Sequence, residues 1–454
     1  MFRVFGGTVA DRTHLTRRSF LQAGALGAGG LSLGGYLRAK EQPDWQVPHV
    51  PGASVILFWM SGGPGHHETW DPKPDAVSQF RGPFGATKTA VPGVQYSELL
   101  PEQAKIADKL AVLRGVNHGS GDHTKANHWM LTGFEGPAFN VPDFMVQRRP
   151  SMGSASAKLV GAHRPGLPSY AAVPHLRGGT DNFFHYAAYL GRGCNPFNTE
   201  SDPNKPGFKV RNLSLAPGLT IDRLEDRKHL LDALGTARRA ADARTATDDP
   251  HARQAFELLT SREAATAFDI SAEPDKVRDA YGRHTFGQSA LLARRLVEAG
   301  VPFVTVNCEP WDHHGTANRL ATKPGAELLI PPFDRALAAL VRDLIDRGLY
   351  ERTLVVAMGE FGRTPRMNPE GGRDHWGNVF SVLMGCGSMK MGQTVGRSTS
   401  KGEYVADRPV TPQDVTATVF RHLGIDARKV HFPDTQDRPT ALVETGEPVH
   451  ELFR

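Results

Sequence analysis

Short unbroken apolar runs punctuate the chain, and each gives way to glycine, histidine or acid. The runs are SVILFWM at Ser54 to Met60, Leu110 to Arg114, VPFVTVN at Val301 to Asn307, TLVVAM at Thr353 to Met358, and Val379 to Met384. Runs this short without polar alternation predict strands buried on both faces of a parallel sheet. A further strand is expected near Ser169 to Val173. Between the runs, apolar residues recur at helical spacing over Ser97 to Lys109, Arg223 to Ala243, His251 to Phe268, Thr285 to Gly300 and Asp414 to Leu423. Asp122 reads as an N-cap and Gly133 as the stop of another helix. Pro332 to Arg347 carries a stripe of Phe333, Leu337, Leu340, Val341, Leu344 and Ile345, with Pro332 suited to the first turn. Strands alternating with helices predict an α/β sandwich around one mainly parallel sheet.

Domain organisation follows from where this pattern fails. Residues 137–217 are rich in Pro, Gly and Asn, and the helical stretches after them are charged on one side. Together they read as loop-rich and helical insertions, around 137–285, in a domain spanning 50–450. Before it, residues 1–45 hold Thr16, Arg17, Arg18, Ser19, Phe20 and Leu21 ahead of a glycine-rich apolar stretch reaching Leu37. Paired arginines before such a stretch resemble a twin-arginine export signal, which implies a periplasmic or extracellular location. The glycines between Gly24 and Gly35 argue against a stable spanning helix, so contact with a membrane is expected only if the signal stays uncleaved.

Composition narrows the function classes. A formal charge of +5 over 454 residues, with basic residues spread along the chain, gives no nucleic-acid footprint. Cys194, Cys308 and Cys386 are too far apart in sequence for a metal knuckle. The candidate chemistry lies at the strand exits. After the first run come Gly62, Gly63, His66, His67, Glu68 and Asp71; after the second, His118, Asp122, His123, Thr124 and His128. After VPFVTVN come Asp312, His313 and His314, and after TLVVAM come Glu360, Arg363, Arg373, Asp374 and His375. Four exits thus carry eight of the nineteen histidines. Imidazole and carboxylate together suit a divalent ion of the zinc, manganese or iron type. His118, His123 and His128 are five apart, about 500° on a helix, so they cannot share one helical face. His128 reads equally as a packing residue.

The stretches GGPGHHETWDPKP at Gly62 to Pro74, WDHH at Trp311 to His314, GEFGRTP at Gly359 to Pro365 and GRDHW at Gly372 to Trp376 resemble a secreted bacterial domain-of-unknown-function family numbered 1501. Beyond it, the chain resembles the alkaline-phosphatase-like superfamily of sulfatases and phosphatases. That resemblance implies a three-layer sandwich and a metal-dependent hydrolase of a sulfate or phosphate ester. It implies a divalent metal, zinc first, with manganese, calcium or iron as alternatives, and a small anionic ester or a sulfated or phosphorylated glycan as partner. The nucleophile register falls on His123 or Thr124. Metal ligands carry over to Asp312, His314, Glu360 and His375, with Asp71 or His66 substituting for an acid missing at Ser61 or Gly62. Phe361 stands where the superfamily has an imidazole. Arg363 and Arg373 are the candidate anion forks, or else structural bridges to Glu360 or Asp374. The alternative is a secreted binding protein for a glycan or partner protein that keeps the fold and one metal. Oligomeric state is not legible.

Overall fold

The structure is a computed structural model that describes residues 50–176, 184–210, 256–307, 310–316 and 320–453, with isolated residues at 213, 223 and 226. The expected export signal, the helix over Arg223 to Ala243 and the start of the His251 to Phe268 helix lie outside the described residues, as does Cys308. Described residues 50–430 with 441–453 belong to one compact unit, and residues 431–440 to another. In the described part of the second, Asp434 accepts from the Arg438 amide at 3.0 Å, closing a turn.

The first unit is built on an eight-stranded sheet. Its strands are β1 (Ser54–Trp59), β2 (Ala111–Val116), β3 (Ala171–Val173), β4 (Phe197–Asn198), β5 (Phe303–Asn307), β6 (Thr353–Met358), β7 (Phe380–Gly385) and β8 (Gln393–Val395). They lie in the order β8-β2-β7-β6-β1-β5-β3-β4. β1 runs parallel to β5 and β6, β5 to β3, β3 to β4 and β2 to β8, while β7 alone is antiparallel, to both β2 and β6. The apolar runs of the sequence are the inner strands: every residue of β1, β6 and β7 is buried. The stretch expected as an insertion supplies β3 and β4, which extend one edge.

Helices cover the sheet. On one face, Ile56, Phe58, Val304, Val306, Val355 and Ala357 share a core with α2 (Thr285–Ala299) and α3 (Thr322–Asp346). Phe58 meets Phe333 edge-on at 5.8 Å. Alternate residues Val55, Leu57 and Trp59 point the other way and are equally buried. The helix Met152–Leu159 packs on β5 and, with α1 (His123–Thr132), against α4 (Pro412–His422).

Two sequence expectations change. α3 begins at Thr322, with Pro331 and Pro332 inside it. An interior proline costs about 3 kcal/mol in lost backbone bonding. The buried face of Leu329, Ile330, Phe333, Leu337 and Leu340 offsets that cost by packing on the sheet. Ile345, expected in the stripe, is 39 % exposed. Among the described residues, no helix is long and apolar enough to cross a membrane.

Candidate metal centre

Strand direction explains why distant residues meet. β1, β2, β5 and β6 all end at the same edge of the sheet, and antiparallel β7 begins there. The loops bearing Gly62, His123, Asp312 and Glu360 therefore leave from that edge. His375, just before β7, arrives at it.

Asp122 fixes the first imidazole. Its carboxylate accepts from the Lys125 amide at 3.1 Å and from the Phe139 amide at 2.7 Å, so α1 starts at His123. Gly133 closes the helix in the left-handed region at φ 78°. His123 Nδ1 lies 2.7 Å from Glu360 Oε1, and its Nε2 faces Asp312 Oδ2 at 3.7 Å. Glu360 is fully buried, and the Gly62 amide donates to both of its oxygens, at 2.9 and 3.0 Å. Gly62, at φ 96°, has no room for a side chain: a Cβ there would sit 2.8 Å from the Asp312 backbone nitrogen. The Glu360 carbonyl takes a bond from His118 Nε2 at 2.7 Å; the Ser120 amide donates to the other ring nitrogen, which fixes the His118 tautomer.

Asp312 is the hub. Its Oδ1 lies 2.6 Å from an Arg363 Nη, 2.7 Å from His314 Nε2 and 3.0 Å from His375 Nε2. Burial alone would raise this carboxyl. The hydrogen bonds from His123, His314 and His375 and the Arg363 charge outweigh burial and hold it well below the usual carboxylate range. It is an anion at any ordinary pH.

His375 Nδ1 lies 2.8 Å from the Gly121 carbonyl, while its Nε2 faces Asp312. Burial lowers this imidazole below its usual value, which favours the neutral ring with a single proton. One proton cannot serve two acceptors. With Nδ1–H on the carbonyl, a lone pair points at a carboxylate oxygen 3.0 Å away, an arrangement that a cation between them relieves. His123 repeats the arrangement, with one nitrogen on Glu360 and the other toward Asp312. Metal-ligating histidines characteristically give their second nitrogen to a carboxylate or carbonyl in this way. The ligand atoms of His123, Asp312 and His375 all lie within 4.8 Å of one another. The donor set fits a divalent ion of zinc type.

The remaining expected site residues are distributed as follows. His314 touches the hub and reaches Asp374 at 3.4 Å, and Glu360 orients His123. Thr124 is brought close in sequence only: its hydroxyl donates to Asp122 at 2.7 Å and to the Pro137 carbonyl at 3.2 Å. Arg363 is buried and spent on the Gly63, Gly62, Trp311 and Arg373 carbonyls besides Asp312. Arg373 bonds Glu68 at 2.9 Å and the Phe80, Thr364 and Pro365 carbonyls. Asp71 holds Lys73, Arg114 and Ser398. The His66 and His67 rings meet at 4.3 Å, tilted by 46°, and bond the Gly402 and Lys401 carbonyls. His128 bonds the Phe134 carbonyl. The Phe361 ring lies 4.4 Å from that of His375 and 5.0 Å from that of His123. Pattern alone did not single out Gly121, which acts through its carbonyl, and it marked His118 as a candidate without showing its role as the clamp on Glu360. The position of Gly121 directly before the N-cap was the available signal for the first.

Residues 52–453 match the family described as protein of unknown function, DUF1501. The chain belongs to that family. No curated protein matches the sequence. Among solved structures, the lipoteichoic acid synthase LtaP from Listeria monocytogenes is similar at a TM-score of 0.43 and 9% identity, over 89% of this chain and 77% of its own. A protein in the alkaline phosphatase superfamily from Vibrio parahaemolyticus is similar at 0.41 and 9%, over 84% and 69%. The PsFucS1 sulfatase from Pseudoalteromonas sp. is similar at 0.40 and 15%, over 86% and 70%.

Proposed function

We propose that this DUF1501 protein is an exported, metal-dependent hydrolase of a phosphate or sulfate ester, free or on a glycan, with the alkaline-phosphatase-like arrangement its motifs resemble. The observation that carries the metal is the cluster of His123, Asp312 and His375 ligand atoms within 4.8 Å of one another, with the His375 ring held between the Gly121 carbonyl and the Asp312 carboxylate, 2.8 and 3.0 Å away. His123, Asp312 and His375 would hold one divalent ion, which supplies Lewis-acid polarisation of an ester oxygen and acidification of water. Phe361 stands where the superfamily that the motifs resemble has an imidazole, so the reading is of one ion.

The chain's own groups define the rest. Glu360 holds His123 with Nε2 toward the ligand position. Arg363 balances Asp312 from behind, and backbone carbonyls, with Glu68 for Arg373, take up most of the remaining donors of both arginines, which favours bridging over anion binding. The Thr124 hydroxyl is equally committed, which favours water over a side chain as the attacking group. His314 is 18% exposed at its side chain and outside the ligand set, where it can pass a proton to a leaving oxygen. The commitment of the Thr124 hydroxyl equally favours the second reading, a metal-bearing binding protein for an anionic glycan.

Turnover of a panel of phosphate and sulfate esters by wild type, Asp312→Ala and His375→Ala separates these readings. The hydrolase reading expects activity that both variants lose by about 100-fold or more. Equal turnover in all three rejects the site, and no turnover with retained glycan binding selects the second reading. Export is tested separately: Arg17→Lys with Arg18→Lys should keep the protein in the cytoplasm.

A further inference from the structure

Beside the metal centre lies a small cavity lined in part by Glu68, Trp311, His313, Thr322, Arg363 and Arg373. Four buried polar atoms of that lining have no partner: Glu68 Oε2, Trp311 Nε1, His313 Nε2 and Thr322 Oγ. Glu68, Trp311 and Thr322 are at most 4% exposed, so bulk solvent does not reach these groups. An unsatisfied buried polar group costs about 1–3 kcal/mol, and four around one cavity are not accidental packing. The cavity volume of about 10 Å³ is at the threshold for a single water and too small for anything larger.

We infer that this cavity is a binding site for one structural water molecule, which joins the Asp312 loop to α3 and to the Glu68 loop. The donor and acceptor count closes: water accepts from Trp311 Nε1–H and from the Thr322 hydroxyl, and donates to Glu68 Oε2 and to His313 Nε2. A metal ion is disfavoured because the indole N–H cannot ligate and two guanidinium groups line the space. An anion is disfavoured by the Glu68 carboxylate, whose other oxygen already holds Arg373 at 2.9 Å.

Trp311 and His313 flank Asp312, so the water acts on the metal centre through positioning. α3 seals the other side: a Cβ at Gly325 would lie 2.4 Å from His313 Nε2, so helix and ring are in direct contact. The inference is independent of the hydrolase reading, since it requires neither a metal nor turnover.

A high-resolution crystal structure of the whole protein, grown with and without a chelator, tests it. The expected result is one solvent peak, at about 2.7–3.2 Å from each of the four atoms, in both crystals. No peak, or a peak with the short distances and anomalous signal of an ion, overturns it. Thr322→Val, close in shape, and Trp311→Phe each remove one partner and should lower Tm by about 2–6 °C, with the peak weakened. If Trp311→Phe fails to fold, Thr322→Val alone decides, and an unchanged Tm with an unchanged peak overturns the inference.

Discussion

Arg363 is the residue whose role the structure redefines. From sequence it reads equally as an anion fork or as a bridge to Glu360 or Asp374. The bridge is to Asp312 and to the carbonyls of both neighbouring loops. Sequence could not name the partner because Asp312 is fifty-one positions away and comes from a different strand exit. Lysine keeps a positive charge but cannot span these acceptors, so Arg363→Lys should lose about 2–4 kcal/mol of unfolding free energy in urea. A variant as stable as wild type but with a raised KM would instead mark an anion-binding arginine. Gly63 shows the same limit of legibility. Sequence shows a glycine-rich strand exit there, but the reason for this glycine is the Phe361 ring, 2.6 Å from where a Cβ would sit.

At the scale of elements, what the sequence announced most clearly was strand identity and helix ends. TLVVAM is β6, VPFVTVN contains β5, and Asp122 and Gly133 do bound α1. Those signals are local, set by burial on both faces and by capping. The start of α3 was misread because proline is a local signal too, and here packing of the helix on the sheet overrides it. Antiparallel β7 was equally hidden, since a fully buried run carries no sign of its direction. That direction is what brings His375 to the site. α1 offers a direct test. Asp122→Ala removes the cap that accepts from Lys125, Thr124 and Phe139, which should cost about 1–2 kcal/mol. Metal affinity should fall with it, although no ligand changes, because His123 is the first residue of the helix. Titration with zinc by calorimetry reads this; an unaltered Kd alongside the stability loss would separate helix start from ligand placement.

At the scale of the whole molecule, the buried histidines give the fold a pH signature. Burial lowers His66, His118, His128, His313 and His422 to about 4, each kept neutral with or without a carbonyl partner. In the unfolded chain the same groups titrate near 6.5. Between those values the unfolded state binds more protons, so stability rises with pH across the window and is lost as pH falls from about 6.5 to 4. Each such histidine contributes up to about 1.4 kcal/mol per pH unit there. Urea unfolding from pH 7.5 to 5 should therefore show a steep decline beginning below pH 6.5, and a flat profile would mean that these rings are protonated in the folded state. The overall architecture was legible because alternation of strand and helix is written in periodicity. The site was legible as residues but not as partners, because which imidazole meets which carboxylate depends on strand order, and strand order leaves no local mark.

The account stands on one ion held by His123, Asp312 and His375. Metal analysis of the purified protein, with anomalous diffraction at the edge of the metal found, measures this directly. The expected result is one divalent ion per chain, about 2.0–2.2 Å from His123 Nε2, an Asp312 oxygen and His375 Nε2, and its loss in Asp312→Asn. An ion seated elsewhere, or full occupancy in Asp312→Asn, would contradict it.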